Sequence, residues 1–386
     1  MKRNPKVEAI AQRILPIQEE LHRHPELSGQ EHETLKRVMR VLDEAEIPYE
    51  KITEKNALVA WVEGDHEGNT VAFRADMDAL PITEESGVDY ASENPGVMHA
   101  CGHDVHTAIL LGTALYFKEN PYFAGKIKFL FQPDEEKNGG ALAMVQAGAV
   151  DDVDYILALH VDPSLEVGTF GFGGGFFNAA VDDFTITLRG DGGHAAHPQK
   201  TQDLIYASSF IIQGIQGAMT RKRSPLEPAL VTVASIHAGS KPNILPKELT
   251  MEGTLRSSSQ EVREEAAEVL TQQVQALAKA FDIEAEVEIE EGYIALVNDI
   301  IITERVKKLA RSVFGPDSVK ISPPSMGAED FGYFLENVEG TYISLGVGSP
   351  EGENHPLHSP KFKADQDAIY YGIYLQVLSA LSLVEK

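Results

Sequence analysis

The sequence predicts an α/β protein: a larger domain on a mostly parallel sheet covered by helices, interrupted by a smaller inserted α+β domain of ferredoxin-like order. Three observations carry this. At 386 residues the chain exceeds what one core usually serves. Helical patterns alternate with short apolar strands from about residue 58 to 160, as right-handed βαβ crossovers under a doubly covered sheet require. Five glycines among the eight residues 168–175 then precede a different order of elements, and the first pattern returns near residue 294. The larger domain is expected at 1–180 and 294–386, with 181–293 inserted.

Apolar residues at helical spacing run from Val7 to Leu21, followed by the turn-like stretch His22 to Gly29 and a second helical pattern from Glu31 to Ala45. Leu58–Val62 and Thr70–Arg74 read as strands, being rich in β-branched and aromatic residues. The second leads into Asp76 and Asp78. Thr107–Lys118 reads as an apolar helix and Lys126–Phe131 as a strand delivering Gln132-Pro133-Asp134-Glu135-Glu136. A helix near Ala141–Ala147 and a buried strand Tyr155–Leu159 ending on His160 follow. In such sheets ligands gather at the carboxyl ends of strands. Asp76/Asp78, Glu135/Glu136 and His160 are therefore expected at one edge.

Past the glycines, strand 184–188, helix 203–219, strands 230–236 and 249–255, helix 260–281 and strand 284–289 follow the ferredoxin-like order. A helix at 299–313, a loop around Glu329-Asp330-Phe331, a strand at 341–346, the loop His355–Pro360 and a closing helix from Asp365 to about Leu383 resume the first architecture.

Composition narrows the function. Thirty-three Lys and Arg against 59 Asp and Glu give a net charge of −26, which disfavours nucleic acid or an anionic membrane as partner. One Cys excludes an internal disulfide framework and suits a reducing compartment. Met1–Glu20 is amphipathic and charged, without the apolar core of a signal peptide. No run approaches the roughly 18 apolar residues of a membrane span. A cytoplasmic protein is the expectation.

The densest chemistry is His99-Ala100-Cys101-Gly102-His103-Asp104-Val105-His106, which packs the lone Cys, three His and an Asp into eight residues. Thiolate and imidazole are donors that divalent transition metals prefer, and Gly102 lets the backbone turn between two of them. The ligand set read from the chain is Cys101, His103, Glu136, His160 and His358, holding two divalent ions with Cys101 as the bridge. Zn suits Cys and imidazole; Mn, Co or Ni suit such a two-metal site equally. Five protein donors leave positions for water, as catalytic metals do. Glu135, unneeded as a ligand, is assigned as general base and then acid. Asp78 is expected to accept a hydrogen bond from a ligand imidazole and fix its tautomer, and Asp76 to brace the turn.

The runs Phe73–Pro81, Met98–Asp104 and Phe131–Glu136, with Gly193-His194-Ala195-Ala196, Asn243–Pro246, Gly253–Arg256, Glu329–Phe331 and the His358 loop, resemble the M20 metallopeptidase family along nearly the whole chain. They are similar to its amidohydrolase branch of aminoacylase-like, hippurate, auxin-conjugate and N-acetyl-diaminopimelate deacylating enzymes. The resemblance implies a two-metal catalytic domain with an inserted lid that dimerises, cleaving the amide of N-acyl amino acids or short peptides. It implies that His194 polarises the scissile carbonyl and that Asn243 and Arg256 hold the substrate carboxylate, in either their own or a neighbouring subunit. Arg meets a carboxylate bidentately. Asp134 departs from the Ala common before the Glu pair, and Gln199 from a frequent His.

Blander readings stand beside these. His99 is read as a loop cap, His106 as facing helix neighbours, and His22, His24 and His197 as turn, packing or surface. A dipeptidase or carboxypeptidase shares the chemistry and differs in the pocket. A non-catalytic metal- or peptide-binding module has no use for Glu135. A Cys–His thiol hydrolase would survive chelation.

Overall fold

The structure, a computed structural model, describes residues 3–53 and 56–386. Met1 and Lys2, at the head of the stretch read against a signal peptide, lie outside the described residues. The chain forms two compact units. One comprises residues up to Gly175, Val297–Pro323 and Asp330–Lys386; the other comprises Phe176–Leu296 and Pro324–Glu329.

The larger unit holds an eight-stranded sheet in the order Tyr49–Lys51, Leu58–Glu63, Ala124–Gln132, His66–Asp76, Tyr155–Glu166, Glu339–Gly348, Phe170–Phe172, Val319–Ile321. Its four central strands, Ala124–Gln132 through Glu339–Gly348, are parallel. Antiparallel pairs occur toward both edges. In register, Phe73 faces Phe129 on one side and Leu157 on the other, so the central strands point their carboxyl ends to one edge. Phe73, Phe129, Phe131 and Leu345 are fully buried, each contributing about 1.5–3 kcal/mol of transfer free energy.

The helices follow local chemistry. Pro5–Arg23 starts with the Asn4 side chain accepting from the Lys6 and Val7 amides, Pro5 filling the first turn. It buries Val7, Ile10, Ile14 and Leu21. His103–Glu119 is buried on nearly every face, because Pro5–Arg23, Asp367–Leu383 and the sheet all pack on it.

Two elements depart from expectation. Tyr155–Glu166 runs past His160 instead of ending there. Its neighbour Glu339–Gly348 keeps pairing through Val161↔Leu345 and Asp162↔Gly346, whereas pairing to His66–Asp76 stops at Arg74↔Ala158. His160 is thus in-strand on one side and at the open edge on the other. The glycine-rich passage also contains a strand, Phe170–Phe172, which takes its partners from Val319–Ile321 and Glu339–Gly348.

In the smaller unit, Ala229–Ala238, Glu248–Ser257, Ala180–Arg189 and Glu284–Glu291 lie in that order in an antiparallel sheet. Side chains alternate in and out along Ala180–Arg189. The helices Leu204–Arg221 and Gln260–Ala280 bury Ile211, Ile215, Leu270 and Val274 against Ile186, Leu188, Leu249 and Met251. A buried ion pair, Arg263 Nε to Asp182 Oδ1 at 2.9 Å, ties the second helix to the sheet.

Candidate metal centre and active site

Gly102 adopts the left-handed conformation (φ 79°) and starts the helix His103–Glu119. The turn sets Cys101 and His103 at the helix head, where Cys101 Sγ lies 3.4 Å from His160 Nε2. His160 donates its Nδ1 hydrogen to the Val161 carbonyl at 2.8 Å, which leaves the Nε2 lone pair facing the sulfur. The donor atoms of Cys101, His103 and His160 all lie within 4.8 Å of one another.

The strand Ala124–Gln132 ends beside them and delivers Glu135 and Glu136. His103, Glu135 and Glu136 form a second such cluster, and Cys101, Glu136 and His358 a third. His358 arrives from far along the chain. Its amide donates to the Ala100 carbonyl at 2.9 Å, its φ is 63°, and its Nε2 stands 3.3 Å from Glu136 Oε1. The overlapping clusters share Cys101, His103 and Glu136, a layout that suits two adjacent cations. Two buried atoms among them, His103 Nε2 and Glu136 Oε1, make no well-formed hydrogen bond among the described residues, Glu136 Oε1 having ion-pair contacts to His358 at 3.3 Å and His103 at 3.9 Å. Leaving such atoms unsatisfied costs about 1–3 kcal/mol each, and a cation bound by mixed sulfur, nitrogen and oxygen donors removes that cost.

The electrostatics of the protein groups agree. Burial pushes the Cys101 thiol well up, and Glu136, Glu135 and Asp76 add to it. Burial, with His106 nearby, pushes His160 down to about 3, so its imidazole is neutral. At His103 burial opposes charge, yet Asp76 and Asp78 outweigh it and raise the imidazole to about 10. This excess of negative charge is what a cation offsets, turning the thiol to thiolate.

A ring of buried partners holds these donors. Asp78 Oδ1 lies 3.2 Å from His103 Nδ1. Its Oδ2 accepts from the Glu136 amide at 2.9 Å and from Ser28 Oγ at 2.7 Å. Asp76 does more than brace a turn: Oδ1 meets His106 Nδ1 at 2.6 Å, Oδ2 meets Arg74 Nη1 at 2.5 Å, and the His103 ring nitrogen is 3.7 Å away. Arg74 also donates to Gln132 and Asp330, each at 2.8 Å.

His106, expected to face helix neighbours, accepts the Val161 amide hydrogen at Nε2 (2.9 Å). The backbone of Val161 is thereby gripped on both sides, by His106 at its amide nitrogen and by His160 at its carbonyl oxygen. The i, i+3 spacing of His103 and His106 on one helix face was the available signal. His99 ties the loop through its carbonyl, which accepts the Gly102 amide at 3.3 Å, and not through its ring, both of whose nitrogens are buried without a partner among the described residues. His22, read as packing, sits between Asp104 at 2.9 Å and Glu84 at 3.1 Å. Asp134 is buried at φ 60° and binds Asn138 Nδ2 through both carboxylate oxygens at 3.0 Å.

A model of peptidase family M20/M25/M40 matches residues 72–380. The chain belongs to this family. Among M20 relatives, the N-acetyl-L-cysteine deacetylase of Bacillus subtilis strain 168 is 37% identical, over 97% of this chain and 89% of its own. The thermostable carboxypeptidase 2 of Saccharolobus solfataricus is 37% identical over 98% of both. The solved Bacillus subtilis YXEP protein, described as a dinuclear metal binding peptidase from the M20 family, superposes with a TM-score of 0.86 at 31% identity, covering 98% of this chain and 99% of that one.

In the M20 insert the three residues singled out lie in two places. His194 pairs with Ile244 in a short ribbon, and the Ala195 amide donates to the Asn243 carbonyl at 3.1 Å. Both His194 and Asn243 are exposed. The ribbon adjoins the Glu248 end of the strand Glu248–Ser257, whereas Arg256 lies near the other end, opposite Val181. Eight residues of strand, about 26 Å at ~3.3 Å each, separate Arg256 from Glu248. Arg256 is half-buried, and that burial lowers its pKa from the ordinary value although Asp183 and Asp182 oppose the shift.

Proposed function

We propose that this M20 enzyme is a metal-dependent amidohydrolase that removes the acyl group from N-acyl amino acids. The observation that carries this is the convergence of Cys101, His103, Glu136, His160 and His358 around shared donor space with Glu135 among them. The deacetylase named among the relatives supports the substrate class. The five residues would hold two divalent ions, Zn, Mn, Co or Ni. When bound, such ions lower the pKa of water toward about 7 and polarise a carbonyl.

The chain supplies the rest. Glu135 takes the proton from the attacking water and returns it to the leaving nitrogen. Asp78 keeps the Nδ1 hydrogen of His103 engaged, so that Nε2 stays available. His194 supplies a donor for the scissile carbonyl oxygen as it gains negative charge. Asn243 and Arg256 hold the substrate carboxylate, Arg256 through its planar fork.

The same proposal includes a homodimer through the insert, acting as a lid. The edge strand Ala229–Ala238 exposes Leu230 and Ile236, and the neighbouring helix exposes Ile205, Tyr206 and Phe210. An acyl amino acid is far shorter than the span from the ribbon to Arg256, so one insert does not apply both to one substrate, and the proposal assigns them to different copies. A cytoplasmic location fits the lone Cys, and no helix among the described residues is long and apolar enough to cross a membrane.

A second reading, carboxypeptidase action on short peptides, is favoured by the carboxypeptidase relative. Metal-reconstituted protein offered N-acetyl amino acids, hippurate and dipeptides separates the two. Fastest turnover of N-acyl amino acids is expected, and cleavage of peptides alone would overturn the deacylase reading. Glu135→Gln should keep its metal and lose about 10²–10⁴-fold in kcat; unchanged turnover removes Glu135 from the mechanism. Full activity after rigorous metal removal would point to thiol chemistry at Cys101.

A further inference from the structure

Glu31 is fully buried in the larger unit and belongs to neither the ligand set nor the base. Its Oε1 accepts two backbone hydrogens, from Gly29 at 2.7 Å and from Asp134 at 2.9 Å. Its Oε2 is buried with no partner among the described residues. A buried carboxylate oxygen without a partner is costly. What Glu31 does for the fold therefore runs through Oε1, onto its own loop and onto Asp134.

Asp134 is the residue before Glu135, and its backbone is in the left-handed region (φ 60°). For a residue with a side chain this costs about 1–2 kcal/mol, so surrounding bonds must hold it. Three do. Its amide goes to Glu31, its carbonyl accepts from the Gly139 amide at 2.9 Å, and its carboxylate takes Asn138. On the other side of Glu135, the Glu136 amide is bound by Asp78 Oδ2, which also accepts from Ser28 Oγ. The loop Ser28–Glu31 thus fastens the backbone on both flanks of Glu135, directly through Glu31 and indirectly through Ser28 and Asp78.

We propose that Glu31 is a positioning residue for the hydrolysis: by accepting the Asp134 amide hydrogen it fixes the backbone from which Glu135 projects, and with it the path along which that carboxylate takes and returns the proton. This rests on Glu135 being the base. A displacement of about 1 Å at a proton-transfer group costs up to ~10²-fold in rate, while substrate binding and metal donors are unaffected.

The test is a set of three variants assayed for metal content, melting temperature, kcat and KM on one N-acetyl amino acid. Glu31→Gln keeps an oxygen that accepts the same two hydrogens and should retain kcat within about threefold. Glu31→Ala and Glu31→Leu, the second filling the volume, should lose about 10- to 100-fold in kcat, with KM within about twofold and metal content as in the wild type. Wild-type kcat in Glu31→Ala and Glu31→Leu would overturn the proposal. So would a Glu31→Gln loss as deep as that of Glu31→Ala, since acceptance would then not be the operative property. A loss that tracks lost metal or lost melting temperature in all three assigns Glu31 to the scaffold and overturns it too. Glu135→Gln run in parallel keeps the two levels apart: wild-type activity there sinks the base assignment, whereas an inactive Glu135→Gln beside fully active Glu31 variants sinks this inference alone.

Discussion

In the larger unit the polar residues of the candidate site are engaged by their own surroundings: His103 by Asp78, His106 by Asp76 and the Val161 amide, Glu136 through its amide by Asp78. In the insert, His194 and Asn243 stand exposed on a two-residue ribbon, and the half-buried Arg256 side chain has no hydrogen bond among the described residues. The first arrangement is held by the protein's own bonds, which orient the donors. The second consists of groups that are exposed or only half-buried and held by few bonds, such as the Ala196 amide on His194 Nδ1 at 3.1 Å. A substitution in the first should therefore change what the protein holds, and one in the second only what it does with a substrate.

The sharpest break of that contrast is at the donors. Cys101→Ala or His160→Ala should lose metal, measured by elemental analysis, and at least on the order of a thousandfold in kcat; retained metal and rate would remove the residue from the centre. Next, His194→Ala should lower kcat about 10²–10³-fold, as loss of a donor to developing negative charge does, with metal content and melting temperature unchanged. If His194→Ala lost metal instead, the two regions would not be separable. His106→Phe, at a residue that is no proposed ligand but packs its ring against those of His103 and His160, should weaken metal affinity about 10- to 100-fold by freeing the Val161 amide; titration with a chelator measures it, and wild-type affinity would reduce His106 to packing.

The smallest effect is on stability. His22 lies between Asp104 and Glu84; burial opposes its charge, yet the two acids raise it to about 10, against about 6.5 in an unfolded chain. A raised folded value means that this contribution is complete below pH ~6.5 and disappears as pH climbs through about 10. Burial likewise works against the Asp104 charge, but His22 holds that carboxyl well below the usual range, so its share is present above the ordinary carboxylate pKa and lost only in strong acid. Hydrogen exchange, corrected for intrinsic rate, should show Pro5–Arg23 and His103–Glu119 losing protection between pH 7 and 10 while Leu204–Arg221 does not. His22→Gln should abolish that difference; an equal pH response in the insert helix would argue for a global charge effect.

The same contrast explains what could be read from the chain. The central strands of the large sheet announce themselves as β-branched and aromatic runs, and residues past or late in them line the candidate site, so Glu135 and Glu136 beyond one strand and His160 within another were legible together. Cys101 and His103 were legible because two soft donors flank a glycine. Glu31, Arg74 and His106 were not singled out for the site, since each has a partner that is distant in the chain, Asp134, Asp330 and Asp76 respectively, 30 to 256 residues away, and a polar stretch such as Ser28-Gly29-Gln30-Glu31 looks like any solvated turn. Phe170–Phe172 escaped because three residues among glycines form a strand only when neighbours supply both partners. In the insert, the alternation along Ala180–Arg189 made the order of elements readable, but exposed residues such as Asn243 carry no burial signal, and only resemblance distinguished them.

Gly102 carries a consequence for the spacing of the centre. A methyl group added there would sit 2.5 Å from Val161 Cγ2, and Val161 is the residue whose backbone His106 holds at the amide and His160 at the carbonyl. The gap between thiol and imidazole is thus set by an absent carbon: one methyl at position 102 would act as a wedge, prising the helix head from the strand and spreading the donors without altering any of them.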